Sequence, residues 1–294
     1  MRKKNIVNGY WREKWNYSPN FIGDVSEETK KDFLVARVMN VHEVLSLDWT
    51  SFEKRVICAI IKAGNNLLKV NGFKQIKIFD RQIIVLDDEV YKEKVKMSEN
   101  EGGNCSFGYV FVRRNKDRGH FIIDIAHEIS HLFSFYSLSV KEEKKERFIS
   151  SNKLGFSLLD REREEKFLYF GLNEAATDLW SKAILREVER MGIFSNLLSE
   201  EEKTVIFYGF AYGLHVHLIE EIFLNRDEKF VWPFLKSYFD GSDDFLNLIK
   251  KDMPEVLPII KNMDNTVESV IQAAYEIGGD KLRDKILNQD KIKP

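Results

Sequence analysis

The chain has 294 residues, of which 44% are hydrophobic, 13% aromatic and 31% charged, with a formal net charge of −2. That length and balance exclude overall disorder and suit one large core or two lobes around a cleft. The absence of a basic excess argues against a mainly nucleic-acid-binding protein.

Two cysteines, Cys58 and Cys105, stand too far apart for a CxxC pair. Neither a disulfide framework nor a thiolate zinc knuckle is expected, and a reducing compartment fits. The N-terminal residues carry charge with no apolar stretch behind them, so they do not read as a secretory signal. The longest uncharged apolar segment, 205–219, falls short of the ~20 residues that span a bilayer and contains His215 and His217. No membrane span is expected, and the expected address is the cytoplasm.

With 5 prolines and 16 glycines, long regular segments should dominate, most of them helices. Residues 1–48 form a mixed lead-in with no assignable element. From Asp48 to about Val70, the apolar positions Phe52, Val56, Ile57, Ile60, Ile61, Leu67 and Leu68 predict an amphipathic helix stopped by Asn71-Gly72. Gln75–Phe79, Gln82–Leu86 and Ser106–Arg113 have the β-branched and aromatic content of strands. A strongly apolar helix is predicted from Arg118 to Tyr136. The charged run Lys141–Arg147 reads as a solvated surface turn, and Gly155–Leu159 with Lys166–Phe170 as a hairpin. Beyond Leu172 the pattern is helical: Asn173–Arg190, Glu200–Leu224, Lys229–Phe239, Asp244–Asp252 and Thr266–Ile277. This is an α+β layout, with a small mixed sheet and one helix first and a mainly helical lobe second, and a cleft between lobes.

One motif carries chemistry: His127-Glu128-Ile129-Ser130-His131, an HExxH. Four residues of α-helix turn ~400°, so the two imidazoles lie ~40° apart on one face, one turn above each other. Both ring nitrogens can then reach one Zn²⁺, while Glu128, ~100° round from His127, stands beside the ion, where it can hold the metal-bound water. The surrounding Phe121, Ile122, Ile123, Ile125, Ala126, Ile129, Leu132 and Phe133 mark a buried helix. Unpartnered histidines and a carboxylate there would cost on the order of several kcal/mol.

A catalytic zinc takes a third protein ligand and keeps an open position. The best candidate lies in Asn173-Glu174-Ala175-Ala176-Thr177-Asp178, where Glu174 and Asp178 are four apart on a predicted helix. One can bind metal while the other reaches back to a ligand histidine. The small Ala175 and Ala176 would let this helix pack close to the first. Asp124, one turn before His127, reads either as an additional supporting carboxylate or as a polar residue at a cleft mouth. Ser130 reads as a small packing residue or a hydroxyl bonded to the previous turn, and His42 and His120 as surface or capping residues.

In His127, Glu128 and His131, and in Asn173, Glu174 and Asp178, the sequence resembles the gluzincins, the thermolysin-like zinc metallopeptidases. The resemblance spans roughly Ser106 to Ile184. It implies zinc held by His127, His131 and Glu174, with Glu128 as general base. It further implies that Asp178 supports His127, that Asn173 supports the neighbourhood of His131, and that peptide or protein is the substrate. Ser106–Arg113 resembles the edge strand that pairs with an extended substrate in that family. An oxyanion donor is also required; Tyr208, Tyr212 and His215 lie on one face of the expected 205–223 helix, with Gly209 and Gly213 allowing a close neighbour.

The expected organisation is therefore a lead-in at 1–48, an α/β N-lobe with the HExxH helix at 49–140, a charged segment and hairpin at 141–171, and a helical C-lobe with the third ligand at 172–294. Three alternatives stay open: a regulatory peptidase that cleaves a repressor, a zincin scaffold used only for binding, and an accidental HExxH in a helical protein.

Overall fold

The structure is a computed structural model that describes residues 20–22, 49–95, 102–106, 108–115, 117–143, 146–160 and 166–289. The lead-in, apart from Asn20–Ile22, lies outside the described residues, and His42 with it. The architecture is mixed α and β, with two small sheets and a helical C-terminal part.

In chain order, β1 is Asn20–Ile22 and α1 is Ser51–Val70. Helix α1 opens on a capping box, in which Thr50 accepts from the Glu53 amide and the Glu53 carboxylate accepts from the Thr50 amide. It stops at Asn71, as expected. The segment 75–79 is not a strand. The Asn65 side chain on α1 accepts from the Ile76 amide and donates to the Ile76 carbonyl, so backbone groups that would seek a neighbouring strand are satisfied by a side chain.

Next come β2 (Ile83–Leu86) and a short helix α2 (Asp88–Val95) with no counterpart in the expectations. They are followed by β3 (Gly103–Ser106) and β4 (Tyr109–Arg113). The expected single strand Ser106–Arg113 is thus a tight β3–β4 hairpin, turned at Gly108 with φ +78°. These strands form a mixed sheet in the order β2-β4-β3, β2 parallel and β3 antiparallel to β4. Strand β4 is central and paired on both sides, so the edge beside the HExxH helix is β3. This corrects the expected substrate-pairing strand.

Helix α3 (Arg118–Phe133) carries HExxH and is capped by Asp117, which accepts from the exposed His120 amide. It ends three residues before the expected Tyr136, which already belongs to a strand. Strands β5 (Tyr136–Glu143) and β6 (Glu146–Leu154) form a long antiparallel hairpin where Lys141–Arg147 was expected to be a surface turn. The ladder is made by backbone groups, which charged residue types do not block. A second sheet follows in the order β1-β5-β6-β7-β8, completed by β7 (Ser157–Leu159) and β8 (Phe167–Leu168). The expected pairing across the 160–165 loop holds.

The rest is helical, as expected: α4 (Phe170–Arg190), α5 (Glu200–Tyr208), α6 (Gly213–Ile219), α7 (Val231–Asp240), α8 (Asp244–Asp252), α9 (Val256–Asn262) and α10 (Val267–Gln289). Helix α9 was not foreseen, and α10 runs on past Ile277 through a kink at Gly279. The expected helix 200–224 is broken at 209–212, and α6 continues as a π-turn over Glu220–Leu224.

Helices α1, α3 and α4 pack against one another in a triangle beneath the small sheet. Gly64 lets α1 lie directly on α3, since a Cβ there would fall 2.3 Å from the Phe133 ring. The start of α4 is fixed from the other side: the Tyr169 and Gly171 amides donate to the carbonyls of Lys261 and Met263. A buried apolar core runs continuously from Val56 on α1 to Ile286 on α10.

Candidate metal centre

The α3–α4 contact is built from small residues. Ser130 donates to the Ala126 carbonyl one turn back, as one of its two expected readings had it, and Ser181 of α4 bonds to Ser130 at 2.8 Å. Ala175 and Ala176 are buried. With no bulky side chain between them, the two helices approach closely enough for side chains one turn further along to converge.

They converge on three atoms. His127 Nε2 lies 3.1 Å from Glu174 Oε2 and 3.2 Å from His131 Nε2, and His131 Nε2 lies 3.7 Å from Glu174 Oε2. These three residues form a buried group able to hold a metal ion. Ligand atoms ~2.0–2.1 Å from a tetrahedral ion stand roughly 3.3–3.4 Å from one another. The observed triangle has those dimensions.

Protonation supports the same conclusion. His127 Nδ1 is 2.7 Å from Asp178 Oδ1, an acceptor, so Nδ1 carries a proton and Nε2 is the ring atom turned inward. Asp178 thus touches His127, the residue that the resemblance pairs it with. On the other ring, His131 Nδ1 lies 3.3 Å from Thr177 Oγ1. That hydroxyl donates to the Asn173 carbonyl at 2.9 Å and is met by Tyr238 OH at 2.9 Å. With its one hydrogen given to a carbonyl, Thr177 offers lone pairs to an Nδ1–H, and the second Nε2 also faces inward. A cation at this spot would face two imidazole lone pairs and a carboxylate, taking the place of the proton that the raised His127 pKa otherwise puts between Nε2 and Glu174 Oε2.

The support of His131 therefore differs from the expected one. Asn173 is fully buried, but its Oδ1 accepts from the Phe156 amide and its Nδ2 donates to Glu174 Oε1 at 3.3 Å. It orients the carboxylate ligand rather than the imidazole. Gly155, with φ +54°, makes this possible: a Cβ there would fall 2.3 Å from Asn173 Oδ1 and 2.8 Å from the Tyr238 ring. Thr177 and Tyr238 carried no motif; only the i, i+3 step from Glu174 to Thr177 could have singled out the former.

Glu128 is buried against the β3 edge and makes no hydrogen bond among the described residues; a Cβ on Gly103 would meet its Cγ at 2.5 Å. Burial pushes its pKa up, the His127 and His131 charges oppose this, and the result is about 7. Asp124 packs against Gly102 in the same manner, and burial raises its carboxyl to about 6. Burial disfavours charge on His127, but the Asp178 and Glu174 contacts outweigh it and hold its pKa well above the usual value. Burial likewise opposes charge on Glu174, yet the two imidazoles keep its carboxyl well below the ordinary range. On β3, Cys105 has its thiol pushed up by burial and by the charges of Glu128 and Glu174, and it stays protonated.

The three expected oxyanion candidates separate. Tyr212 stands with its ring 5.5 Å from that of His127, and its amide donates to Asp178 Oδ2 at 3.0 Å. Burial and the Glu174 charge raise its pKa, which keeps the phenol a donor. His215 is turned toward the Asp264 carbonyl, 3.0 Å from Nε2. The Tyr208 side chain lies outside the described residues. The break at 209–212 removes the single face on which all three were expected. Gly209 does meet α3 closely, with its Cβ position 2.8 Å from Ile123, whereas Gly213 faces open space, contrary to expectation.

No protein-family model matches the chain, and neither a curated protein nor a solved structure matches it. Among the described residues no helix is long and apolar enough to cross a membrane.

Proposed function

We propose that this protein is a zinc-dependent metallopeptidase of zincin-like fold, with His127, His131 and Glu174 as ligands. The observation that carries the reading is the triangle of His127 Nε2, His131 Nε2 and Glu174 Oε2, with edges of 3.1–3.7 Å, each atom oriented from behind by a hydrogen-bond partner. Two neutral imidazoles and one carboxylate are a donor set that suits Zn²⁺.

When bound, the ion would polarise a substrate carbonyl and lower the pKa of water beside it. Glu128, buried beside the three ligands with a pKa of about 7, would be the group to take up a proton during the reaction and return it to the leaving amine. Tyr212, protonated and packed against the His127 ring, is the donor best placed for an oxyanion. The β3 edge, unpaired among the described residues and lying directly on Glu128, would offer backbone groups to an extended peptide, a mode of capture that tolerates many sequences.

The test is metal quantification on the purified full chain, coupled to cleavage of a peptide library with and without chelator. One equivalent of zinc and chelator-sensitive cleavage are expected. Zinc without cleavage of any peptide or unfolded protein would leave a metal-holding scaffold and overturn the enzymatic reading. Absence of metal, with stability indifferent to chelator, would overturn both.

A further inference from the structure

Between Glu53 and Asp80 the chain contains no acidic residue, yet it carries Lys54, Arg55, Lys62, Lys69, Lys74 and Lys77. All six are exposed. On α1, with ~100° per residue, Lys54, Arg55, Lys62 and Lys69 fall within an arc of about 100°, a stripe roughly 22 Å long. The opposite face holds Val56, Ile57, Ile60, Ala63 and Leu68 and is spent on the core against α3 and α4. Among the described residues, none of the six has a carboxylate partner within ion-pair distance. In a chain of net charge −2 the four cations on this helix face, with no carboxylate partner among the described residues, are a local concentration that overall composition hides.

The stripe ends in an apolar knob. Val70 is 82% exposed and Trp232 52%, and Phe73 stacks on Trp232 with ring centroids 5.3 Å apart. That stack joins the turn after α1 to the start of α7, where Val231 is also exposed. Lys229 nearby is committed to Asp227 and Asp252 and is not part of the set.

We propose that this face docks the protein on an anionic lipid surface, with the α1 lysines meeting headgroup phosphates and carboxylates and the Val70/Trp232 knob entering the interfacial layer. Charge complementarity defines the partner as anionic, and the knob decides which anion. Exposed valines gain nothing from a phosphodiester backbone, and one face of the Trp232 ring is already covered by Phe73, which reduces its use for stacking a base. An indole and aliphatic side chains at the end of a basic stripe gain from a bilayer interface on both counts.

The experiment is co-sedimentation of the full chain with vesicles of phosphatidylcholine alone or containing phosphatidylserine, alongside fluorescence polarisation with a single-stranded oligonucleotide. Association with the anionic vesicles only is expected, weakening as salt rises from 0.1 to 0.5 M because screening shortens to a few ångströms. Each α1 lysine removed should weaken it about fivefold, so Lys62→Glu with Lys69→Glu should abolish it. Trp232→Ala should weaken it at unchanged charge. Circular dichroism and bound metal, read on the same samples, should not change in these surface variants. Equal sedimentation with neutral vesicles, or undiminished binding by the double charge reversal, would overturn the proposal. So would tighter binding of the oligonucleotide through the same lysines, which would assign the face to nucleic acid.

Discussion

The two imidazoles of the candidate centre are supported in unlike ways. Behind His127 stands a carboxylate, Asp178, which also holds the Tyr212 amide. Behind His131 stands a neutral pair of hydroxyls, Thr177 and Tyr238. The difference is one of charge balance. A divalent cation facing Glu174 and Asp178 is matched by two negative charges; a third fixed carboxylate behind His131 would leave an excess in a buried site. Glu128, with its pKa near 7, can absorb or release the remaining charge as a proton. One flank of the site therefore carries charge and the route to Tyr212, and the other carries only orientation.

Substitutions can break that contrast. The largest effects should come from the shared centre: His127→Ala should lose the metal, and Glu128→Gln should retain it while turnover falls about a hundred- to ten-thousand-fold, measured as kcat beside zinc content. Full activity in metal-loaded Glu128→Gln would remove the base from its role. On the His127 flank, Tyr212→Phe should lower kcat by roughly a hundredfold or more with little change in KM, as loss of a transition-state donor does. On the His131 flank, Thr177→Val should weaken zinc affinity by about 10–100-fold in chelator competition, whereas Thr177→Ser, which keeps the hydroxyl, should restore it. Equal affinity in the valine variant would show that His131 needs no partner.

The smallest effect concerns Asp124, beside but not among the ligands. Its carboxyl has an ordinary value of 3.8 and is raised to about 6 by burial. Between those values the folded state holds the proton more often than the unfolded state, so stability declines as pH rises through that window and the loss is complete above about 6. Asp124→Asn should therefore stabilise the protein at pH 7.5, by about 2–3 kcal/mol at most, and should do so far less at pH 4. A chemical denaturation series at the two pH values reads the difference.

The His127/His131/Glu174 group able to hold a metal was legible because helical periodicity is a local rule. Four-residue steps in His127–His131 and Glu174–Asp178 fix which side chains share a face, and burial of both helices does the rest. What escaped the sequence depends on distant partners. Tyr238 meets Thr177 across 61 positions of chain, and nothing in the pattern of α7 distinguishes it from a core aromatic. The segment 75–79 has strand composition, but Asn65 takes its backbone groups first. The hairpin over 136–154 was masked by its charged tip, since lysine and glutamate signal exposure and say little about a backbone ladder. The break at 209–212 has a similar origin: Asp178 captures the Tyr212 amide, and the helix gives up a turn.

Gly155 has a consequence that reaches beyond its own turn. Any side chain there would press at once on the amide that steers the carboxylate ligand and on the ring that backs the second imidazole. A single added methyl would thus disturb two of the three side chains of the candidate centre from a residue that touches none of them. The hairpin acts as a spacer gauge for the centre, and its tolerance is narrower than the width of one carbon atom.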